Sequence, residues 1–173
     1  KSQAFSPNGY ELTNLTPQLP PVPWEGVISE LETWPRNGFD ADWSSDGSKI
    51  AFFVKTGRDH TLIIVESKTG KVLRKIELPF DQAFSPSFSA DDYWVYFSAA
   101  NHIQRDIFAV NIEESHVGQI IQVTNDERFD TAPSVSPDGS KVIYVGSDDD
   151  FQHIFVYDVR GGTIETFDMR HFK

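Results

Sequence analysis

Asp40, Asp42 and Asp130, with Arg128 close before the last, are the residues of this chain best placed by type and spacing to hold a polar ligand or a cation. They fall where the chain enters short strands that recur along the sequence, and loops feeding such strands gather near a common axis. Calcium, the cofactor an acidic group of this kind would take, requires several oxygens converging on one point. The Asp-x-Asp-x-Asp-Gly pattern of a dedicated calcium loop is absent, and Asp148, Asp149 and Asp150 form a separate acidic run in another loop. The plain reading of all these residues is a solvated turn aspartate, whose carboxylate bonds nearby amides. Nucleophilic chemistry has less support: there is no cysteine, no Gly-x-Ser-x-Gly elbow, and no His-Glu-x-x-His pair among the five histidines. His60 and His153 stand near the start of equivalent strands and read as strand-edge residues, so catalytic residues are assigned to none of these positions.

The elements that position those aspartates come from a repeat. Trp43-Ser44-Ser45-Asp46-Gly47-Ser48-Lys49-Ile50 recurs as Phe88-Ser89-Ala90-Asp91-Asp92-Tyr93-Trp94-Val95 and as Val135-Ser136-Pro137-Asp138-Gly139-Ser140-Lys141-Val142, at spacings of 45 and 47 residues. Each copy ends one strand on an apolar residue, turns, and starts a dense apolar run, which is a hairpin signature. Asp46, Asp91 and Asp138 recur because the turn needs them. A period of this length fits one propeller blade.

Each unit reads as four strands. The first has Phe39–Trp43, Lys49–Val54, Thr61–Glu66 and Lys71–Leu78; the second has Phe84–Phe88, Tyr93–Ser98, Asp106–Ile112 and Gln119–Thr124; the third has Ala132–Val135, Lys141–Gly146, His153–Asp158 and Thr163–Phe167. The second and third strands are apolar on both faces, Ile50, Phe52 and Val54 pointing one way and Ala51 and Phe53 the other. Such sheets must be covered on both sides, as stacked blades are. Phe52 is therefore expected to be a buried anchor, and Trp34, Trp43 and Trp94 to pack in or between blades. No helical period is present, and the fold class is all-β.

The Ser-Pro-Asp-Gly turn at Ser136–Gly139, the run Ile154-Phe155-Val156-Tyr157-Asp158 and the pair Gly161-Gly162 resemble the repeat of TolB-like β-propellers. The resemblance covers Val27 to Phe167; the third copy fits closely, the first well, and the second lacks both turn proline and glycine. WD repeats fit less well, since no Trp-Asp or Gly-His pair is present. Similar repeats build the propellers of prolyl-oligopeptidase-type and tricorn-type peptidases. The resemblance implies a periplasmic or extracellular setting and a non-catalytic interaction or scaffold module that binds a protein or other ligand through blade loops and channel rim. The alternatives are the propeller part of a serine peptidase whose hydrolase domain lies outside this chain, and a structural subunit of a larger assembly.

Composition narrows the partner. Asp and Glu outnumber Lys and Arg by 26 to 15, a formal charge of −11 that argues against nucleic acid or an anionic membrane surface. No apolar run reaches membrane-spanning length. Residues 1–26 are set apart by Pro17, Pro20, Pro21 and Pro23 as an arm or linker, and 27–173 form the blades, with Val27–Thr33 as an additional outer-type strand. The start at Lys1 leads to the expectation of a processed form or a piece of something longer. Closed propellers have four to eight blades, so three units predict a partial propeller or half of a six-bladed ring. Two uncovered terminal faces would then be met by self-association or by the remaining blades of a longer chain.

Overall fold

The computed structural model describes residues 38–56, 59–147 and 151–167. The proline-rich arm, the strand expected at Val27–Thr33, Trp34, the run Asp148–Asp150 and His171 lie outside the described residues.

Among the described residues, three four-stranded antiparallel sheets follow one another along the chain. The first blade contains β1 (Gly38–Trp43), β2 (Lys49–Thr56), β3 (Asp59–Glu66) and β4 (Val72–Glu77). The second contains β5 (Gln82–Phe88), β6 (Trp94–Asn101), β7 (Gln104–Asn111) and β8 (Ile120–Gln122). The third contains β9 (Phe129–Val135), β10 (Lys141–Ser147), β11 (Gln152–Asp158) and β12 (Thr163–Thr166). In each sheet the strands pair in sequence order from the inner strand outward. The all-β partial propeller expected from the repeat is thus the observed architecture.

The repeated turn owes its shape to two side chains. In the first blade Ser44 Oγ donates to Asp46 Oδ1 at 2.8 Å, the Ser48 amide donates to the same oxygen at 2.8 Å, and the Lys49 amide donates to Ser44 Oγ at 2.8 Å. Ser136, Asp138, Ser140 and Lys141 repeat this arrangement in the third blade. Ser89, Asp91, Tyr93 and Trp94 repeat it in the second, although that copy has lost its proline and glycine. The left-handed position is taken by Gly47 (φ 70°), Asp92 (φ 58°) and Gly139 (φ 70°). Hydrogen bonds to their carboxylates hold Asp46, through Ser48 first, and Asp138, through Ser136 first, down at about 2.

The inner strands share a second device. Asp40, Ser85 and Ala132 all have positive φ, at 47°, 53° and 52°, and each sits at a break in the register of its strand with the next. These bulges bend the inner strand and turn its side chains toward the neighbouring blade.

Apolar packing runs between sheets. Phe53, Leu62 and Ile64 of the first blade bury against Val95, Phe97 and Val110 of the second. On its other side the second blade sets Tyr96, Ile107 and Ala109 against Val142, Tyr144 and Phe155 of the third, with Trp94 at the margin of that cluster. Three expectations need correction. Phe52 is only half-buried, whereas Phe53 is fully buried. Trp43 is 59% exposed instead of packed between blades. The first blade's face turned away from the second is not uncovered either, since Val54, Ile63 and Val65 are buried there.

Candidate functional site

The acidic residues singled out in the sequence separate into two groups in space. Asp40 and Asp42 lie within β1 itself, and their carboxylates are spent on the next blade: Asp40 Oδ2 accepts the Ser85 amide at 2.8 Å and Asp42 Oδ2 accepts the Phe88 amide at 3.0 Å. One junction further on, Ser87 Oγ does the same for the Val135 amide at 3.1 Å. Inner-strand backbone amides that a sheet ladder would leave open are satisfied in this way by side chains of the preceding blade.

Asp130 lies in β9, fully buried, and its two oxygens have no protein hydrogen-bond partner. Arg128, in the loop before β9, approaches to 4.0 Å between Nε and Asp130 Oδ1, pairs with Asp126 through Nη2, and lies 4.2 Å over the Phe155 ring. Gln104 holds this loop by donating from Nε2 to the carbonyls of Asp126 and Arg128, both at 2.6 Å. The Tyr144 hydroxyl and Asp106 Oδ1 are likewise buried without a partner. Burial raises the Asp130 carboxyl to about 6 and the Tyr144 phenol to about 12, and it also raises Asp106. A carboxyl poised near neutrality suits proton transfer, but Asp130 has no exposed surface on which to meet a substrate.

Asp40 and Asp42 therefore belong to the first junction and Arg128 and Asp130 to the second. The convergence a calcium ion requires is not formed, and among the described residues no group of three His, Asp or Glu is placed to hold a metal. His60 stands near the start of β3, as expected, but is buried between blades, its Nδ1 accepting the Ala83 amide at 2.6 Å and its ring meeting Phe39 and Phe84 edge-on. His153 is exposed beside Phe151 and Phe155.

Open surface suited to a ligand lies instead on the rim that carries the repeated turns. A cleft of about 250 Å³ between the first and second blades is lined by Lys49, Arg74, Tyr93, Glu113 and Glu114 among others. A second, of about 330 Å³, lies between the second and third blades beside Trp94, Asp138 and Gly139. Tyr93 is 51% exposed at the first cleft, and Trp43 ends its strand on the same rim. Reasoning on sequence missed Tyr93 as a surface residue because it opens an apolar run. It also missed Asp92, although the gap in the glycine column of the repeat marks that position.

Four-stranded blades stacked face to face, with inner strands bonded side by side, define a β-propeller module. No family model matches the chain. An uncharacterized protein of Agrobacterium fabrum is 37% identical over 157 residues, spanning 86% of this chain and 52% of that protein. A putative TolB from Agrobacterium tumefaciens superposes with a TM-score of 0.62 and 23% identity, over 75% of this chain and 48% of that one. TolB from Acinetobacter baumannii gives 0.62 and 23% over 78% and 33%. The β-propeller domain of the Trilobed protease from Pyrococcus furiosus gives 0.58 and 20% over 78% and 43%. The fold is thus that of TolB and of peptidase propeller domains, and the chain spans about half the length of the curated relative it matches.

Proposed function

We propose that this chain is a non-catalytic interaction module that binds a protein partner through the blade loops of its turn-bearing rim, in the periplasm or outside the cell. The observation that carries this reading is the exposure of Tyr93 at a cleft whose walls bring Lys49 and Arg74 together with Glu113 and Glu114, with Trp43 exposed on the same rim. Exposed aromatics ringed by charge are the usual anchors of protein recognition. The acidic excess of the chain favours a protein over nucleic acid. The resemblance to TolB supports that setting; no helix among the described residues is long and apolar enough to cross a membrane.

A second reading has one specific support, the similarity to propellers of peptidases, including a prolyl endopeptidase at a TM-score of 0.55 over 21% of that chain. In it the module guards or docks a hydrolase carried elsewhere. Cross-linking capture from the native envelope fraction separates the outcomes. A partner retained by the natural chain and lost by Trp43→Ser/Tyr93→Ser at unchanged melting temperature is expected, and equal capture by both would overturn the rim assignment. Hydrolysis of peptide or ester substrates by the purified chain would overturn the non-catalytic reading itself.

A further inference from the structure

We infer that the cleft between the first and second blades receives one extended segment of a partner protein, in which an apolar residue is flanked by an acidic residue on one side and a basic residue on the other. This names the ligand chemistry of the rim proposed above and rests on that reading. The walls of the cleft carry opposite charge. Lys49 and Arg74 come from β2 and β4 of the first blade, and Glu113 and Glu114 follow β7 of the second. Among the described residues no salt bridge joins the two walls, and Lys49, Arg74 and Glu114 make none with any other group.

The repeat shows that Lys49 is left unpaired. Its counterpart in the third blade, Lys141, faces Asp158 across β10 and β11 and meets that carboxylate at 3.9 Å. Lys49 faces Glu66 in the same register across β2 and β3, but the Glu66 carboxylate accepts the Thr69 hydroxyl, and Asp46 is taken up by Ser44 and the Ser48 amide. Arg74 donates from Nη1 to the Leu73 carbonyl at 2.8 Å, which leaves its charge without a carboxylate. Both cations are half-buried, where water solvates them less than at the open surface and a carboxylate attracts them more strongly. Ile64, Leu73 and Ile112 add an aliphatic lining, and Tyr93 an exposed ring. At about 250 Å³ the cleft is smaller than the pocket of a drug-sized molecule, a size that suits one anchoring side chain. Alternate side chains of an extended chain share a face, so an acid, an apolar residue and a base at alternate positions reach the cleft together. A segment with acids alone or bases alone would meet like charge on one wall.

The test is fluorescence anisotropy of the full chain with labelled peptides carrying glutamate, leucine and lysine at alternate positions, in both orders, beside peptides with two glutamates or two lysines around the leucine. A mixed-charge peptide should bind best, and more weakly as salt rises. Arg74→Glu should weaken it about 10-fold or more, and Lys49→Glu/Arg74→Glu should transfer the preference to the peptide with two lysines, a switch that a folding defect cannot produce. Melting temperatures are read alongside. No binding of any mixed-charge peptide, or an unchanged preference in the double variant, would overturn the inference. Self-association of the chain that Arg74→Glu abolishes would give the cleft to a second copy and overturn it as well. Capture of a native partner that is lost with Trp43→Ser/Tyr93→Ser but survives Arg74→Glu would leave the rim reading standing and sink this one, whereas the charge switch would uphold this one even where capture fails.

Discussion

Asp92 occupies the left-handed turn position that glycine holds in the other two blades, and its carboxylate grips Ser45 of the neighbouring blade, accepting the amide at 2.8 Å and the hydroxyl at 3.1 Å. The residue that departs from the repeat is thus the one that ties two repeated turns together. A positive φ disfavours side chains other than glycine, asparagine and aspartate. Asp92→Ala should lose the bonds while keeping the strain, at a cost of about 1–2 kcal/mol. Asp92→Gly loses the bonds but relieves the strain and should fall between Asp92→Ala and the natural chain in urea melts. Finding Asp92→Gly the least stable of the three would contradict this account.

Neighbouring phenylalanines on β2 should respond differently. Phe53 is fully buried between the first two blades and touches Phe39 and Phe97, so Phe53→Ala should cost about 3–5 kcal/mol. Phe52, half-buried on the opposite face, should cost less than half as much. Denaturant midpoints for the two variants check this, and equal losses would sink the assignment of faces.

The buried carboxyl sets a pH dependence opposite in sign to that of the turns. Asp130 has its pKa raised from an ordinary 3.8 to about 6 by burial, with Asp126, Arg128 and Asp106 as the charges facing it. Its folded state holds the proton more tightly than the unfolded chain, so its contribution is fully present below pH 3.8 and is lost as pH rises through 6. Asp46 and Asp138 are depressed to about 2, so their contribution is present above 3.8 and lost as pH falls toward 2. Asp130→Asn should therefore stabilise the protein at pH 8, by at most about 3 kcal/mol, and do little at pH 4. Thermal melts at the two pH values test the sign, and a variant weaker than the natural chain at pH 8 would be the wrong outcome.

Gly146 is fixed by space. A Cβ there would stand 2.7 Å from the Phe155 ring and 2.8 Å from Asp130 Oδ1, so Gly146→Ala should cost about 1–3 kcal/mol by overpacking. A Cβ at Gly161 comes no nearer than 3.2 Å, to Asp158 Oδ1 on an exposed turn, so Gly161→Ala should cost clearly less. Comparable losses in calorimetry would argue against this tight packing within the third blade.

The amino-acid sequence by itself determined the repeat, its strands and its turns. Asp46, Asp91 and Asp138 were legible as turn residues because their partners lie two residues away, and contacts that local recur wherever the local pattern recurs. Tertiary structure decided everything that depends on a neighbour some 45 residues off. A strand apolar on both faces does not say which face meets the next blade, so the exchange of Phe52 for Phe53 and the exposure of Trp43 were settled only by stacking. Nor does an aspartate at a strand entry reveal what it will face. Asp40 and Asp42 meet open amides of the second blade and serve as inter-blade bonds, while Asp130, at the position where the second blade has Ala83, is sealed in by Phe155 and Arg128. The same residue type becomes a bond in one place and a buried, proton-holding carboxyl in the other, because sheet stacking decides which polar groups and how much water remain within reach.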